Sequence, residues 1–217
     1  MTAPNSPRLL KGGLVLLDPG TAAIQRIISL QYNPDTLQRT LQVQGVGEGG
    51  ERSEALRLKG PAVETIKLEA EIDATDQLEL PDRHPNAVAL GIQPQLAALE
   101  TLAYPASADL AVNDALAAVG TIEILPTEAP LTLFVWSRQR VLPVRLTELS
   151  VTEEAFDVAL NPIRAKVSLG FRVLTVDDVG FAHRAGHLFM SYLRAKERLV
   201  AKAPPGTLAA FGLGGLP

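Results

Sequence analysis

The chain reads as a mainly β protein with flanking helices, an α+β fold whose strands are antiparallel. Two observations carry that reading. From Arg164 to Val173 apolar and polar residues alternate without a break: Ala165, Val167, Leu169, Phe171 and Val173 on one side, Arg164, Lys166, Ser168, Gly170 and Arg172 on the other. From Val63 to Asp73, Ile66, Leu68, Ala70 and Ile72 alternate with Thr65, Lys67, Glu69, Glu71 and Asp73. A period of two marks a strand with one buried and one wet face.

The remaining elements follow in order. Met1–Arg8 is expected to be a mobile arm. Leu9–Leu17 predicts a short strand closed by the Asp18-Pro19-Gly20 turn. Ile24–Tyr32 predicts a second strand, broken by Asn33-Pro34-Asp35, and Leu37–Val43 a third. The glycine-rich stretch Gly45–Ser53 carries the letters of a G-x-G-x-x-G frame at Gly45, Gly47 and Gly50. A strand pattern rather than a helix follows it, so a plain loop is expected. Residues Pro81–Pro85 read as a loop. Gln93–Leu102 reads as a helix with Ile92, Leu96, Leu99 and Ala103 on one stripe and Pro94 in its first turn. The stretch Tyr104–Glu128 has no clear pattern, with a helix over Ala108–Val119 as one option.

Leu131–Trp136 and Val141–Thr152 predict two antiparallel strands joined by Ser137-Arg138-Gln139-Arg140. In the second, Val144 and Leu146 share one phase, and Leu149 and Val151 the other. That flip at Thr147-Glu148 predicts a β-bulge or a change of buried face. A final helix is expected over Val179–Lys202, with Ala185, Leu188, Phe189, Tyr192, Leu193 and Leu199 as its apolar stripe. Asp177 or Asp178 is expected to cap it, and Pro204-Pro205-Gly206 to end it. The apolar, glycine-rich end Thr207–Pro217 is either a loose tail or a segment that docks on a neighbour. The domain expectation is an arm at 1–8, a β domain at 9–176 with an inserted helix near 93–103, and a helix and tail at 177–217.

Composition narrows the function. At 217 residues the chain can bury roughly 70% of its unfolded surface, and so needs no metal or disulfide to hold it. It has no cysteine and a net charge of −4. That balance, without a basic run, argues against nucleic acid as a partner. No apolar stretch nears the roughly 20 residues needed to span a bilayer, so no membrane insertion is expected. Leu14–Leu17 lacks the pattern of a signal peptide, which points to a soluble, unexported polypeptide.

Catalytic constellations are missing. His84 sits alone in a proline-rich loop. His183 and His187 have the spacing of two metal ligands, yet Arg184-Ala185-Gly186 between them supplies no general base. Glu153-Glu154 and Asp177-Asp178 are neighbours, read as turn and cap acids rather than as an acid/base pair. No G-x-S-x-G elbow occurs. The expectation is therefore no enzyme, no catalytic residue, no metal and no cofactor. Trp136 ends a strand and suits core or interface packing. Arg138, Arg140, Arg164, Lys166 and Arg172 make the last strands locally basic. They are either solvated faces or, together with Trp136, the interface residues of an assembling subunit.

Two motifs carry a resemblance: Leu30-Gln31-Tyr32-Asn33-Pro34-Asp35-Thr36-Leu37, and Phe156-Asp157 followed by Leu160-Asn161-Pro162-Ile163-Arg164-Ala165. In that order, over about Leu9–Val176, the chain resembles the tube-like baseplate proteins of phage-derived contractile injection systems. The resemblance implies a tail-tube-like β-barrel or sandwich. It also implies a homohexameric tube-initiator or adaptor ring between spike and inner tube. The implied partners are further copies of the chain, the inner tube protein, the spike or hub protein and baseplate wedge proteins. Assembly in a bacterial cytoplasm into a phage-tail-like particle, released or retained, would follow. Many relatives carry a peptidoglycan-binding LysM module, of which the residues after Val176 show no sign. A main inner tube protein is the alternative within this reading. A small-ligand-binding β-barrel is the alternative outside it.

Overall fold

The computed structural model describes residues 9–45, 57–118 and 128–216. The expected arm and most of the glycine-rich loop lie outside the described residues. Among the described residues seven strands form one antiparallel sheet: β1 (Gly13–Leu17), β2 (Ile24–Ser29), β3 (Leu37–Gln42), β4 (Val63–Asp73), β5 (Leu131–Ser137), β6 (Arg140–Phe156) and β7 (Pro162–Val173). Their order is β2-β1-β5-β6-β7-β4-β3. The fold is mixed α+β and mostly β.

Alternation decides the core. In β4 and β7 the directly opposed pairs Ile66–Phe171, Leu68–Leu169, Ala70–Val167 and Ile72–Ala165 all point to one face. All eight side chains are buried. Cross-strand apolar pairs of this kind are the unit of sheet stabilisation. β6 joins the same face through Val144, Leu146, Leu149 and Val151, which it can do only because its register to β7 shifts between Leu146 and Glu148. The phase flip in the sequence is this bulge. Phe134 of β5 completes the layer, stacked on Trp136 and tilted against Phe171, each at 5.8 Å between ring centres.

The sheet curls far enough to bring its first strand near its sixth. Just beyond β2, the Gln31 side chain spans the gap to the end of β4: Nε2 donates to the Asp73 carbonyl at 2.7 Å, and the Asp73 N–H donates to Oε1 at 3.0 Å. β3 pairs only with Val63–Leu68, so it leaves the second half of β4 open to this approach.

Helices fill the rest. α1 (Thr75–Leu78), a 3-10 turn (Pro81–Arg83), α2 (Pro85–Leu90), α3 (Gln93–Glu100) and α4 (Ser107–Ala118) lie between β4 and β5. The residues expected to form a loop at Pro81–Pro85 are thus a helical turn and a helix start, because proline suits a first helical turn. α3 buries Leu96 and Leu99 together with the preceding Ile92, and so docks as its stripe predicts. The α2–α3 junction presses on the start of β7, where the Ile92 N–H donates to the Pro162 carbonyl at 2.9 Å. Gly91 sits there at φ +57°, and a Cβ would collide with that same carbonyl.

The single helix expected over Val179–Lys202 is two: α5 (Val176–Val179) and α6 (Arg184–Val200). Gly180, at φ +76°, breaks them. The expected acid cap consequently serves α5, not the long helix. Thr175 is its N-cap, and the Asp178 carboxylate accepts the Thr175 N–H at 2.9 Å in a capping box. α6 is capped by His183, whose Nδ1 accepts the Ala185 N–H at 3.1 Å. α6 crosses the end of the sheet. Phe189 and Tyr192 join the main core, while Ala185 and Leu188 cover a smaller cluster of Leu17, Leu131 and Leu133 on the opposite face. Leu199, expected in the stripe, is exposed. The strand over Leu9–Leu17 begins only at Gly13, and the one over Ile24–Tyr32 ends at Ser29.

Candidate assembly surfaces

Away from α6, the outer face of β4, β6 and β7 is wet and densely charged. By register it carries Lys67, Arg145, Arg164, Lys166 and Arg172 against Glu69, Glu71, Asp73, Glu148 and Glu154, five of each sign. Most meet a partner inside the chain. Arg164 Nε lies 2.8 Å from Asp73 and 3.9 Å from Glu71, Lys166 lies 3.4 Å from Glu154, and Lys67 lies 3.1 Å from Glu148. Arg172 lies 2.7 Å from Asp178. Burial works to raise the Asp73 carboxyl, but hydrogen bonds from Thr75 and the Arg164 guanidinium outweigh it and hold the carboxyl below its ordinary 3.8. The same hydrogen bond to Asp73 raises Arg164. A surface so balanced repels neither sign and offers no apolar foothold.

The six residues singled out in the sequence separate accordingly. Arg164, Lys166 and Arg172 share this charged face. Arg138 lies in the β5–β6 turn and Arg140 opens β6 beside it. Trp136 is half-buried against the core, where a Cβ on Gly12 would meet its ring at 2.7 Å.

The β6–β7 hairpin tip is a hydrogen-bonded apolar knob. The Asp157 carboxylate accepts the Ala159 N–H at 2.7 Å, the Asn161 N–H at 2.8 Å and the Asn161 side-chain amide at 2.8 Å. The side-chain amide of Asn161, then its backbone N–H, holds the Asp157 carboxyl below 3.8. Leu160 adopts φ +63°, an uncommon conformation for a branched residue. The result presents Phe156, Val158 and Leu160 to solvent, Val158 at 108% exposure. Alternating apolar residues among turn-formers were the sequence signal for this knob.

Glu64 was not legible as a special residue. It lies on the apolar face of β4, 3% exposed, where Arg39 Nε donates to it at 2.7 Å and Lys196 Nζ at 3.1 Å. The Tyr192 hydroxyl receives a bond from Arg39 at 2.8 Å. An acid in the apolar phase of an alternating strand was the available clue. Together these groups pin α6 to β3 and β4.

A cleft of about 320 Å³ opens where β2 nears β4 beneath α3. Its walls include Ile28, Leu30, Ala70, Ile72 and Leu99, with Gln95 at its side. Among the described residues no group of three His, Cys, Asp or Glu could hold a metal, and no helix is long and apolar enough to cross a membrane.

The geometry defines an α+β protein built on one curled antiparallel sheet, with one apolar and one largely charged face. No protein-family model matches the chain, and no curated protein does. Among solved structures it is similar to a chain from the tail of an empty GTA particle refined with helical C6 symmetry. The identity is 8%, the match covers 75% of this chain and 90% of that one, and the TM-score is 0.30. A likeness that slight carries no weight for function.

Proposed function

We propose that the chain is a structural subunit of a contractile injection system or related phage tail. In this reading six copies close into a tube-initiator ring at the baseplate, between spike and inner tube. The observation that carries it is the open edge of β3. Among the described residues β3 pairs with β4 on one side only, and it and the residue after it expose Leu41 and Val43. An exposed apolar edge is a template for another strand. Pairing with a neighbouring copy would satisfy it through a heterologous contact, the kind that closes into a ring. The charge-balanced face of β4, β6 and β7 would then suit a wet lumen, and Arg138, Arg140 and Trp136 a contact between copies. The two motifs that resemble tube-like baseplate proteins support the same reading.

Replacing Leu41 and Val43 with Lys tests it. The double variant is expected to keep the circular dichroism of the parent and lose its oligomers on light scattering. Unchanged oligomers would sink the role of this edge. Of the alternatives, a main inner tube protein would grow long tubes rather than stop at one ring. A small-ligand barrel has the cleft in its favour, at the lower end of the roughly 300–1,000 Å³ typical of ligand pockets.

A further inference from the structure

We propose that the C-terminal segment Thr207–Leu216 of one copy docks in the β2–β4–α3 cleft of a second copy. The inference rests on the self-assembly reading above and names the contact that would latch neighbours together.

The segment is built to be covered. Residues 203–216 include no charged side chain. Leu208–Phe211 forms a 3-10 turn that ends at Gly212 in the left-handed region. Leu208, Phe211, Leu213 and Leu216 are all exposed, Phe211 at 76% and Leu216 at 75%. Four large apolar side chains in nine residues are far from the scattered single exposures a surface normally carries.

The cleft is built to receive such a segment. Its floor is apolar, and the charged groups at its rim are already engaged: Arg26 donates to the Ala98 carbonyl at 3.3 Å and to Thr101 at 2.7 Å, and Glu71 lies 3.9 Å from Arg164. Two polar features remain unmet. Among the described residues, Gln95 Oε1 is buried without a hydrogen-bond partner, and β2 pairs with β1 alone. Leu208, Phe211, Leu213 and Leu216 supply apolar surface for the cleft floor, and the uncharged backbone of the segment supplies donors and acceptors for the edge of β2.

The segment does not line the cleft of its own chain. Lys196 ties the last turns of α6, from which the segment emerges, to Glu64 at the start of β4. The cleft uses Ala70–Ile72 at the other end of that strand, about 20–25 Å away at the usual strand rise. In its own chain the segment stays exposed. Donor and acceptor at opposite ends of one strand make a heterologous contact, which propagates from copy to copy until it closes.

The chain has no cysteine, so paired single-cysteine variants read the contact directly. Ile27→Cys, on the cleft rim, and Leu213→Cys, in the segment, are mixed and oxidised. The expected result is a disulfide-linked dimer of the two variants, reduced at least tenfold by adding Phe211→Asp, a change at an exposed residue. The double-cysteine chain should then give a ladder of linked oligomers. An intrachain bond alone would place the segment in its own cleft and overturn the proposal. So would linkage no stronger than from a control cysteine at exposed Val88. Oligomers on light scattering without linkage would overturn the latch and leave the ring. Absence of oligomers, alone and beside tube and spike proteins, would overturn both.

Discussion

The Gln31 side chain completes the hydrogen bonding of the Asp73 backbone, accepting its N–H at 3.0 Å and donating to its carbonyl at 2.7 Å. One amide thus acts as one rung of a missing ladder and fixes how far the sheet curls. Gln31→Ala should cost about 1–3 kcal/mol, since a part-buried donor and acceptor lose their partner. Urea unfolding reads the loss. Hydrogen exchange should show the Asp73 amide deprotected more than the central amides of β7.

Glu64 holds two cations that reach it from β3 and α6. Glu64→Ala leaves Arg39 and Lys196 without their anion. The cost should be about 2–3 kcal/mol, below that of a fully buried pair because both cations keep some water contact. At this chain length that corresponds to a fall in Tm of roughly 4–12 °C. Exchange should rise first along α6, and a loss spread evenly over the sheet would contradict the pinning role.

Acid should loosen the hairpin tip and the charged face together. Asp157, Asp73 and Asp18 all have carboxyls below their ordinary 3.8, the last chiefly through the Thr21 N–H. A carboxyl depressed in the folded state adds stability that is complete well above the unfolded value and is lost as pH falls through the folded one. Stability should therefore fall below about pH 4. Asp157→Asn should make that fall shallower, while NMR titration of Asp157 in the parent should give a midpoint under 3.8.

Gly91→Ala should destabilise by about 1–3 kcal/mol, because it combines a positive φ with a collision against the Pro162 carbonyl. Thermal unfolding measures it. A neutral result would mean that the α2–α3 junction can move off β7.

Much of the sheet was legible in the sequence, and the reasons are local. β4 was readable because every second side chain from Ile66 to Ile72 is apolar, Glu64 being the exception in that phase. The bulge in β6 was readable because a two-residue period cannot change phase without one. Helices α1 and α2 were not, since their short proline-containing segments carry too few turns for a period to show. The division of the last helix turned on Gly180, a residue that a helical pattern tolerates until its φ is known. The cleft and the Glu64 cluster depend on contacts between residues far apart in the sequence, Arg39 with Glu64 and Gln31 with Asp73, for which local periodicity holds no record.

The most direct test of assembly is the mass of the purified chain by light scattering, followed by negative-stain imaging. The account predicts a species of six times the 23.1 kDa chain mass, seen as six-fold rings. A single 23.1 kDa species at every concentration, forming no ring alone or beside tube and spike proteins, would contradict it.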